Sequence, residues 1–368
     1  MDLFYITYQQ IPSITAHGVH TFSLIKNFSK NNVNVHLIYP IRNEFASDDI
    51  NILKERYSFD NDFKIIPTKH YLPFDRIKIL KKYLYIFSHF LWSFFISKKF
   101  ENKKFERIFT LSDWVFYFMS RKKKKVVFEC HNLTTLRKYL IKKSLEINPN
   151  SHVVFINSLI LEDSKQKLGS NIHILESGYD DDLFFSKGNN SGKLKIVFSG
   201  NLLRFGQDRG IKKIIEYFAD FEQKKECLLN IYGGPEEYVE HLKEEFENDT
   251  LENINFFGHL NRLMLSDELN NSDIGILTNT QSEHSDRHTS PLKYFEYLGS
   301  GLKVIATDVT AHRVLPKNEN IKFFDLNDKD SFHKALSSAI KTRTNITSND
   351  LYKLTNDFRV KKLIEIYS

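Results

Sequence analysis

Short apolar runs alternate with segments whose apolar residues recur at helical spacing along nearly the whole chain. "DLFYITY" (residues 2–8) reads as a buried strand, "HGVHTFSLIKNFSKN" (17–31) as an amphipathic helix, and "VNVHLIYP" (33–40) as a strand again. "RIFTL", "KVVFEC", "HVVFIN" and "NIHILE" continue the series, each followed by a helical or turn segment. Strands apolar on both faces, separated by helices, are the signature of a parallel sheet covered on both sides. A polar, glycine-containing break, "SKGNNSGK" (186–193), interrupts the pattern, which then restarts with "LKIVFSG", "GIKKIIEYFADF", "CLLNIYGG", "PEEYVEHLKEEF", "INFFGHL", "DIGILTN" and "KVIATD". The pattern predicts an α/β protein of two doubly wound, Rossmann-like domains, residues 1–188 and 189–350. A last helical segment, 351–368, would cross back to the first domain. No period of 20–50 residues points to a solenoid.

Composition fits this picture. At 368 residues the chain exceeds one core, and 41% hydrophobic with 27% charged residues describes a globular protein. The two cysteines, Cys130 and Cys227, lie in apolar runs, which suits inert thiols in a reducing compartment. The N-terminus shows neither a basic lead nor a cleavable apolar stretch, so no signal peptide is expected. The net charge of +6 is local, concentrated in residues 75–104 and 121–133. Within the former, "YLYIFSHFLWSFFIS" (83–97) is too short to span a bilayer, which takes roughly 20 residues. Bracketed by Lys78, Lys81, Lys82, Lys98 and Lys99, it reads as a core helix on one face, and through residues 78–104 as a surface for an anionic membrane on the other. Nucleic acid is not expected, because "KKKK" (122–125) sits in one loop without an aromatic platform.

The chemistry concentrates where strands end. "GNNSGKL" (188–194) fails as a phosphate loop: it is short, lacks the Ser/Thr after the lysine, and precedes a strand. "VFSGNLLRFGQDRGIKK" (197–213) is a strand–loop–helix with Gly200, Asn201, Arg204 and Arg209 in the loop, the usual ligand edge of such a sheet. Gly234 and the pair His259–Leu260 stand at two further strand ends. In "DRHTSPLKYFEYLGSGLKVIATD" (286–308), Ser290 is expected to cap a helix with Pro291 in its first turn and Gly299 and Gly301 ending it. Lys293 in the first turn is mildly unfavourable against the macrodipole unless an anion binds there. Glu296, one turn on, would accept hydrogen bonds from vicinal hydroxyls such as those of a ribose. In the first half, Gly18 follows the first strand and His131 ends another. His17, His20 and His36 do not form a convincing metal set, and "YDDDLF" (179–184) reads as a turn.

With these residues in view the chain resembles the GT-B glycosyltransferases, and specifically the retaining glycosyltransferase family 4. The resemblance rests on the glycine loop at residues 9–38, on "VVFECHNL" with its terminal histidine, and on residues 153–184 with their Gly-x-Asp turn. It rests further on "FSGNLLRFGQDRG" and, most specifically, on "TSPLKYFEYLGSGLKVIATD". It implies two domains facing across a cleft that closes on the donor. Gly18 would face the donor diphosphate and His131 would lie beside the transferred sugar. Arg209 would stand for the family's phosphate lysine, with Lys293 helping to neutralise the diphosphate. Thr289, Ser290, Pro291, Leu292 and Glu296 would hold diphosphate and ribose. Two positions depart: His288 stands where the family has its first glutamate, with Glu283 too far upstream to replace it, and Asn201 where an arginine is common. The implied function is transfer of a hexosyl or N-acetylhexosaminyl group from a nucleotide sugar to a glycan or lipid-linked acceptor in surface polysaccharide synthesis. Retention, no cofactor and no metal are expected. The implied location is the cytoplasm of a bacterium, peripheral at the inner face of its membrane. Two rivals use the same residues: a nucleotide-sugar 2-epimerase, and a non-catalytic membrane-surface protein that only binds nucleotide sugar.

Overall fold

A computed structural model describes residues 1–13, 15–42, 47–70, 72, 80–102, 105–189, 192–204, 206–279, 286–342 and 346–368. Lys78 and Glu283 lie outside the described residues. The chain forms two compact units: Met1–Glu176 with Arg359–Ser368, and Ser177–Phe358. The contact boundaries thus fall before the breaks at 188/189 and after 350/351 suggested by the sequence. The reason is packing. Leu183 and Phe184 are buried in the second unit's core, and Asn270 clasps this segment by donating to the Leu183 carbonyl (2.8 Å) and accepting from the Phe185 N–H (2.9 Å).

The first unit contains β1 (Asp2–Ile6), β2 (Asn34–Ile41), β3 (Lys64–Lys69), β4 (Arg107–Thr110), β5 (Lys125–Cys130), β6 (Ser151–Phe155) and β7 (Ile172–Ile174). Its helices are α1 (Ala16–Lys30), α2 (Ile50–Tyr57), α3 (Lys81–Lys99), α4 (Asp113–Arg121), α5 (Thr135–Ile147) and α6 (Ser158–Ser164). All strands are parallel, in the order β3-β2-β1-β4-β5-β6-β7. Phe109, Val127 and Val154 pack into one apolar cluster, and Ile108, Val126, Phe128, Val153 and Phe155 into another. Alternate residues of one strand serve opposite faces, which is why these strands read as continuous apolar runs.

The second unit contains β8 (Leu194–Ser199), the hairpin β9 (Leu203–Arg204) and β10 (Gln207–Asp208), then β11 (Cys227–Tyr232), β12 (Ile254–Gly258), β13 (Ile274–Leu277), β14 (Lys303–Thr307) and β15 (Ile321–Phe324). Its helices are α7 (Ile211–Ala219), α8 (Glu236–Glu245), α9 (Arg262–Asn270), α10 (Leu292–Gly299), α11 (Thr310–Arg313), α12 (Lys329–Lys341) and α13 (Ser348–Lys353). The order β12-β11-β8-β13-β14-β15 is parallel throughout and, counted from β8 without the hairpin, is the 3-2-1-4-5-6 arrangement of doubly wound folds. A final helix, α14 (Asn356–Tyr367), starts in the second unit. Its later residues Val360, Leu363 and Tyr367 are buried in the first unit's core, where the Tyr367 hydroxyl donates to the Ile108 carbonyl at 2.7 Å.

α3 has two faces. His89, Trp92, Ser93 and Ile96 are buried, whereas Tyr83, Ile86, Phe87 and Phe95 are exposed, with exposed Lys81, Lys98 and Lys99 at the ends. No helix among the described residues is long and apolar enough to cross a membrane.

Candidate functional site

In a doubly wound sheet the strand order reverses between its first and fourth strands, and the loops there diverge to leave a crevice. In the second unit these strands are β8 and β13. The turn after β8 leads into the β9–β10 hairpin, which sets Arg204 and Arg209 over this point. Arg209 Nη2 donates to the Thr278 carbonyl just beyond β13 (2.8 Å) and Nη1 to the Asn201 carbonyl (3.3 Å). Arg204 Nη1 donates to the Asn279 side-chain oxygen, and Asn279 Nδ2 reaches Thr289 Oγ1 at 3.3 Å. Arg209 makes no ion pair among the described residues, and its Nε is buried without any hydrogen-bond partner. Partial burial, and next the charge of Arg204, lower its pKa, so this half-buried cation is held at an electrostatic cost that an anion would relieve.

The neighbouring loops are laced together to make this edge. Gly200 N–H donates to the Tyr232 carbonyl (2.9 Å), Gly233 N–H to the Gly258 carbonyl (2.7 Å) and Leu202 N–H to the Gly234 carbonyl (2.8 Å). A side chain at Gly233 would have its Cβ 1.7 Å from the Gly200 carbonyl oxygen, at a φ of +145°, so this approach demands glycine. A Cβ at Gly234 would meet the His259 ring at 2.7 Å, so His259, itself exposed, lies against that backbone, followed by half-buried Leu260. A recess of 160 Å³ lined by Asn279, Thr307, Asp308, Val309, Asp325 and Leu326 opens nearby. That is below the roughly 300 Å³ of a small-molecule pocket, so the site is read from the converging polar groups.

The helix N-termini at this edge differ in capping: α8 and α10 have no side-chain cap at the cap residue, whereas α7 is capped from Asp208. Asp208 accepts from the N–H groups of Gly210 (3.0 Å), Ile211 (3.0 Å) and Lys212 (3.4 Å). At α10 the structure corrects the sequence expectation. Pro291 is the cap residue and Leu292 the first helical one, while the Ser290 hydroxyl accepts from the Ser177 N–H (3.3 Å) instead of from its own helix. Among the described residues no side chain accepts from the first-turn N–H groups of α10. The C-terminal expectation changes too. Gly301 takes the left-handed conformation (φ +81°), whereas Gly299 is helical and small because the Tyr179 ring lies 2.4 Å from where its Cβ would be. His288 and Thr289 are half-buried on the approach to α10.

Lys293 and Glu296 are partners, not free groups. Lys293 Nζ donates to Glu296 Oε2 (2.9 Å) and Arg262 Nη1 to Glu296 Oε1 (2.9 Å). Arg262 Nη2 reaches Asp180 Oδ2 (3.0 Å), whose other oxygen accepts from Asn356 Nδ2 (2.9 Å). Burial pushes the Glu296 carboxyl up, but Lys293 and Arg262 overcome it and hold the pKa below the ordinary range. Each carboxylate oxygen keeps a second lone pair, so ribose hydroxyls would share this group with two cations. Arg262 and Asp180 went unassigned in the sequence, where Asp180 read as a turn residue.

In the first unit, Glu129 is the fifth residue of β5 and its side chain is fully buried. Its Oε1 lies 2.5 Å from His20 Nε2 on α1 and 2.5 Å from His131 Nε2 just past the strand. Its Oε2 accepts from Arg359 Nη2 on α14 at 2.6 Å. Burial opposes its charge, yet Arg359, then the imidazoles, hold its pKa well below the usual carboxylate range. His131 is lowered, by burial above all. Gly18 sits in the first turn of α1 for an internal reason: a Cβ would lie 2.8 Å from the Tyr57 hydroxyl and 2.9 Å from the Ser13 carbonyl. A carboxylate in an apolar strand signals a buried partner, and "FEC" carried that signal. Its partner Arg359, some 230 positions away, had no local mark.

His20, Glu129 and His131 offer ligand atoms within 4.8 Å of one another, the one metal-like grouping among the described residues. Their donors and acceptor are already matched. An ion would require both imidazoles to move their protons and would sit beside the Arg359 guanidinium.

Two parallel α/β units, each doubly wound, with polar loops converging at the carboxyl edge of the second, define a GT-B-like fold. Residues 193–342 match the family described as "Glycosyl transferases group 1", so the second unit carries a domain of that kind. No curated protein sequence matches the chain. Among solved structures it is similar to a sucrose-phosphate synthase from Thermosynechococcus elongatus (13% identity, TM-score 0.71, all of this chain and 98% of that one). It is also similar to the lipopolysaccharide outer core galactosyltransferase WaaB (12%, TM-score 0.66, all of this chain and 99% of that one). A third is Anabaena Alr3699/HepE in complex with UDP and glucose (12%, TM-score 0.63, 99% of this chain and 98% of that one).

Proposed function

We propose that the protein transfers a hexosyl or N-acetylhexosaminyl group, with retention, from a nucleoside-diphosphate sugar to a glycan or lipid-linked acceptor in surface polysaccharide synthesis. The observation that carries this reading is Arg209: half-buried, without an ion pair among the described residues, and with a buried Nε that has no hydrogen-bond partner among them, at the point where the second sheet reverses. Beside it the chain from Arg204 through Asn279 to Thr289 leads to the uncapped start of α10. A diphosphate would receive a guanidinium and helix N–H groups there, the supports needed as negative charge grows on a leaving group. These are protein groups doing what a divalent ion does elsewhere, so transfer is expected without added metal. Glu296, fixed by Arg262 and Lys293, serves the ribose. His131 serves a hydroxyl of the transferred sugar. The relatives support the donor class, since one is described in complex with UDP and glucose and another is a lipopolysaccharide galactosyltransferase. The exposed aromatic face of α3 with its lysine ends suits an anionic membrane, and so a lipid-linked acceptor at the inner face of a bacterial membrane.

The test is release of nucleoside diphosphate from UDP-, GDP- and CDP-sugars in EDTA, with and without a lipid-linked acceptor fraction. The reading expects release from one donor that requires acceptor, and a product whose anomeric configuration matches the donor. Release that ignores the acceptor would instead identify an epimerase or hydrolase. Binding of the nucleotide sugar without release in any mixture would leave a non-catalytic binder.

A further inference from the structure

The polar cluster at the end of β5 contains more than the histidine that the sequence singles out, and its hydrogen bonds admit one arrangement of protons. Arg359 can only donate, so Glu129 Oε2, at 2.6 Å from its Nη2, accepts. An ionised carboxylate has no proton to give. The two imidazole nitrogens at 2.5 Å from Oε1, His20 Nε2 and His131 Nε2, must therefore both carry hydrogen. A neutral imidazole has one ring proton, so Nδ1 of each is a bare lone pair. Charging either ring as well would put a second cation beside the buried Arg359 guanidinium, with the His17 ring also 5.2 Å from His131.

We propose that Glu129 is a positioning residue that locks His131 as its Nε2–H tautomer and so presents Nδ1 as a hydrogen-bond acceptor to a substrate hydroxyl; the substrate part rests on the role given to His131 above. A structural ion pair between Glu129 and Arg359 would need neither imidazole. Instead the layers are graded. Glu129, His20 and Arg359 side chains are 0%, 3% and 3% exposed, while His131 is 20% exposed. Nothing among the described residues hydrogen-bonds its Nδ1. The base is held from behind and open in front, as second-layer carboxylates hold functional histidines elsewhere.

The variant that discriminates is Glu129→Gln. Arg359 still needs an acceptor, so the amide oxygen faces it and the NH₂ faces the imidazoles. Nε2 of His131 must then accept, its proton moves to Nδ1, and the outward edge changes from acceptor to donor. The experiment is ¹⁵N NMR of histidine-labelled full-length protein at pH 7.5, with His131→Ala to assign the signal, alongside transfer kinetics. The wild type should show neutral His131 protonated at Nε2, and Glu129→Gln should show it at Nδ1. In the same variant kcat/KM should fall about 5- to 100-fold, the scale of one polar group left mismatched, while nucleoside-diphosphate affinity holds. A wild-type His131 that is protonated at Nδ1, or charged, overturns the proposal without recourse to any variant. So does a tautomer switch that leaves kcat/KM unchanged. A wild type that shows the Nε2–H tautomer yet transfers nothing contradicts the transferase reading and leaves the action of Glu129 on His131 standing.

Discussion

Arg209, half-buried, and Glu296, buried, show two ways for a folded chain to keep a charge partly or wholly out of water. Glu296 is compensated by Arg262 and Lys293, so removing a partner strands it. Arg262→Ala leaves both Glu296 and Asp180 short of a cation and should destabilise the protein by about 3–5 kcal/mol, read from urea denaturation. A loss under about 1 kcal/mol would show that the network is better solvated than its burial indicates. Arg209 has no such partner among the described residues, and in the proposed function the substrate supplies one. Arg209→Ala should therefore weaken nucleoside-diphosphate binding about 10- to 100-fold, as loss of a charged hydrogen bond does, measured by calorimetry, without lowering the melting temperature. A variant that melts earlier but binds equally would make Arg209 a structural residue. Glu296→Ala should weaken a nucleoside diphosphate more than inorganic pyrophosphate; equal losses would take the ribose away from it.

Helices and strands differ in how far their sequences announced them. Apolar runs marked the strands of both sheets because parallel strands are buried on two faces. The family-like α10 stretch stood out through Pro291, Lys293 and Glu296. Its start was misplaced because Ser290 has a competing partner, the Ser177 N–H, and that contact is invisible to local rules. Gly18 and Gly299 were read as ligand or turn glycines, yet each makes room for a tyrosine, Tyr57 and Tyr179. Partners far apart in sequence, such as Glu129 with Arg359, left only one half of the signal in any window. α3 was anticipated as two-faced, and its buried Trp92 and exposed Tyr83 and Phe87 bear that division out. Whether the outer face meets lipid is a separate matter. Changing Lys81, Lys98 and Lys99 to Glu should abolish sedimentation with anionic liposomes; undiminished sedimentation would remove the membrane from the account.

Both units carry a buried neutral histidine, and this sets the pH response of the whole chain. Burial pushes His89 in the first unit and His312 in the second down to about 4. The unfolded chain takes up these protons near the ordinary value of about 6.5, so stability falls as pH drops from there toward 4, by about 1–3 kcal/mol for each. Glu129 and Glu296, lowered in the native state, add stability above the ordinary carboxylate range of about 4.3 that is lost below it. The urea midpoint should decline steadily from pH 7 to 4, and a midpoint that is flat or rising to pH 5 would contradict this. The proposed function rests on a nucleoside-diphosphate site at the carboxyl edge of the second sheet. Its most direct test is a thermal-shift series with UDP, GDP and CDP in EDTA, on the wild type and on Arg209→Ala. The account predicts that one diphosphate raises the wild-type melting temperature without metal, and that the rise disappears in the variant while its unliganded melting temperature is unchanged. No shift with any nucleotide, or an equal shift in Arg209→Ala, would contradict it.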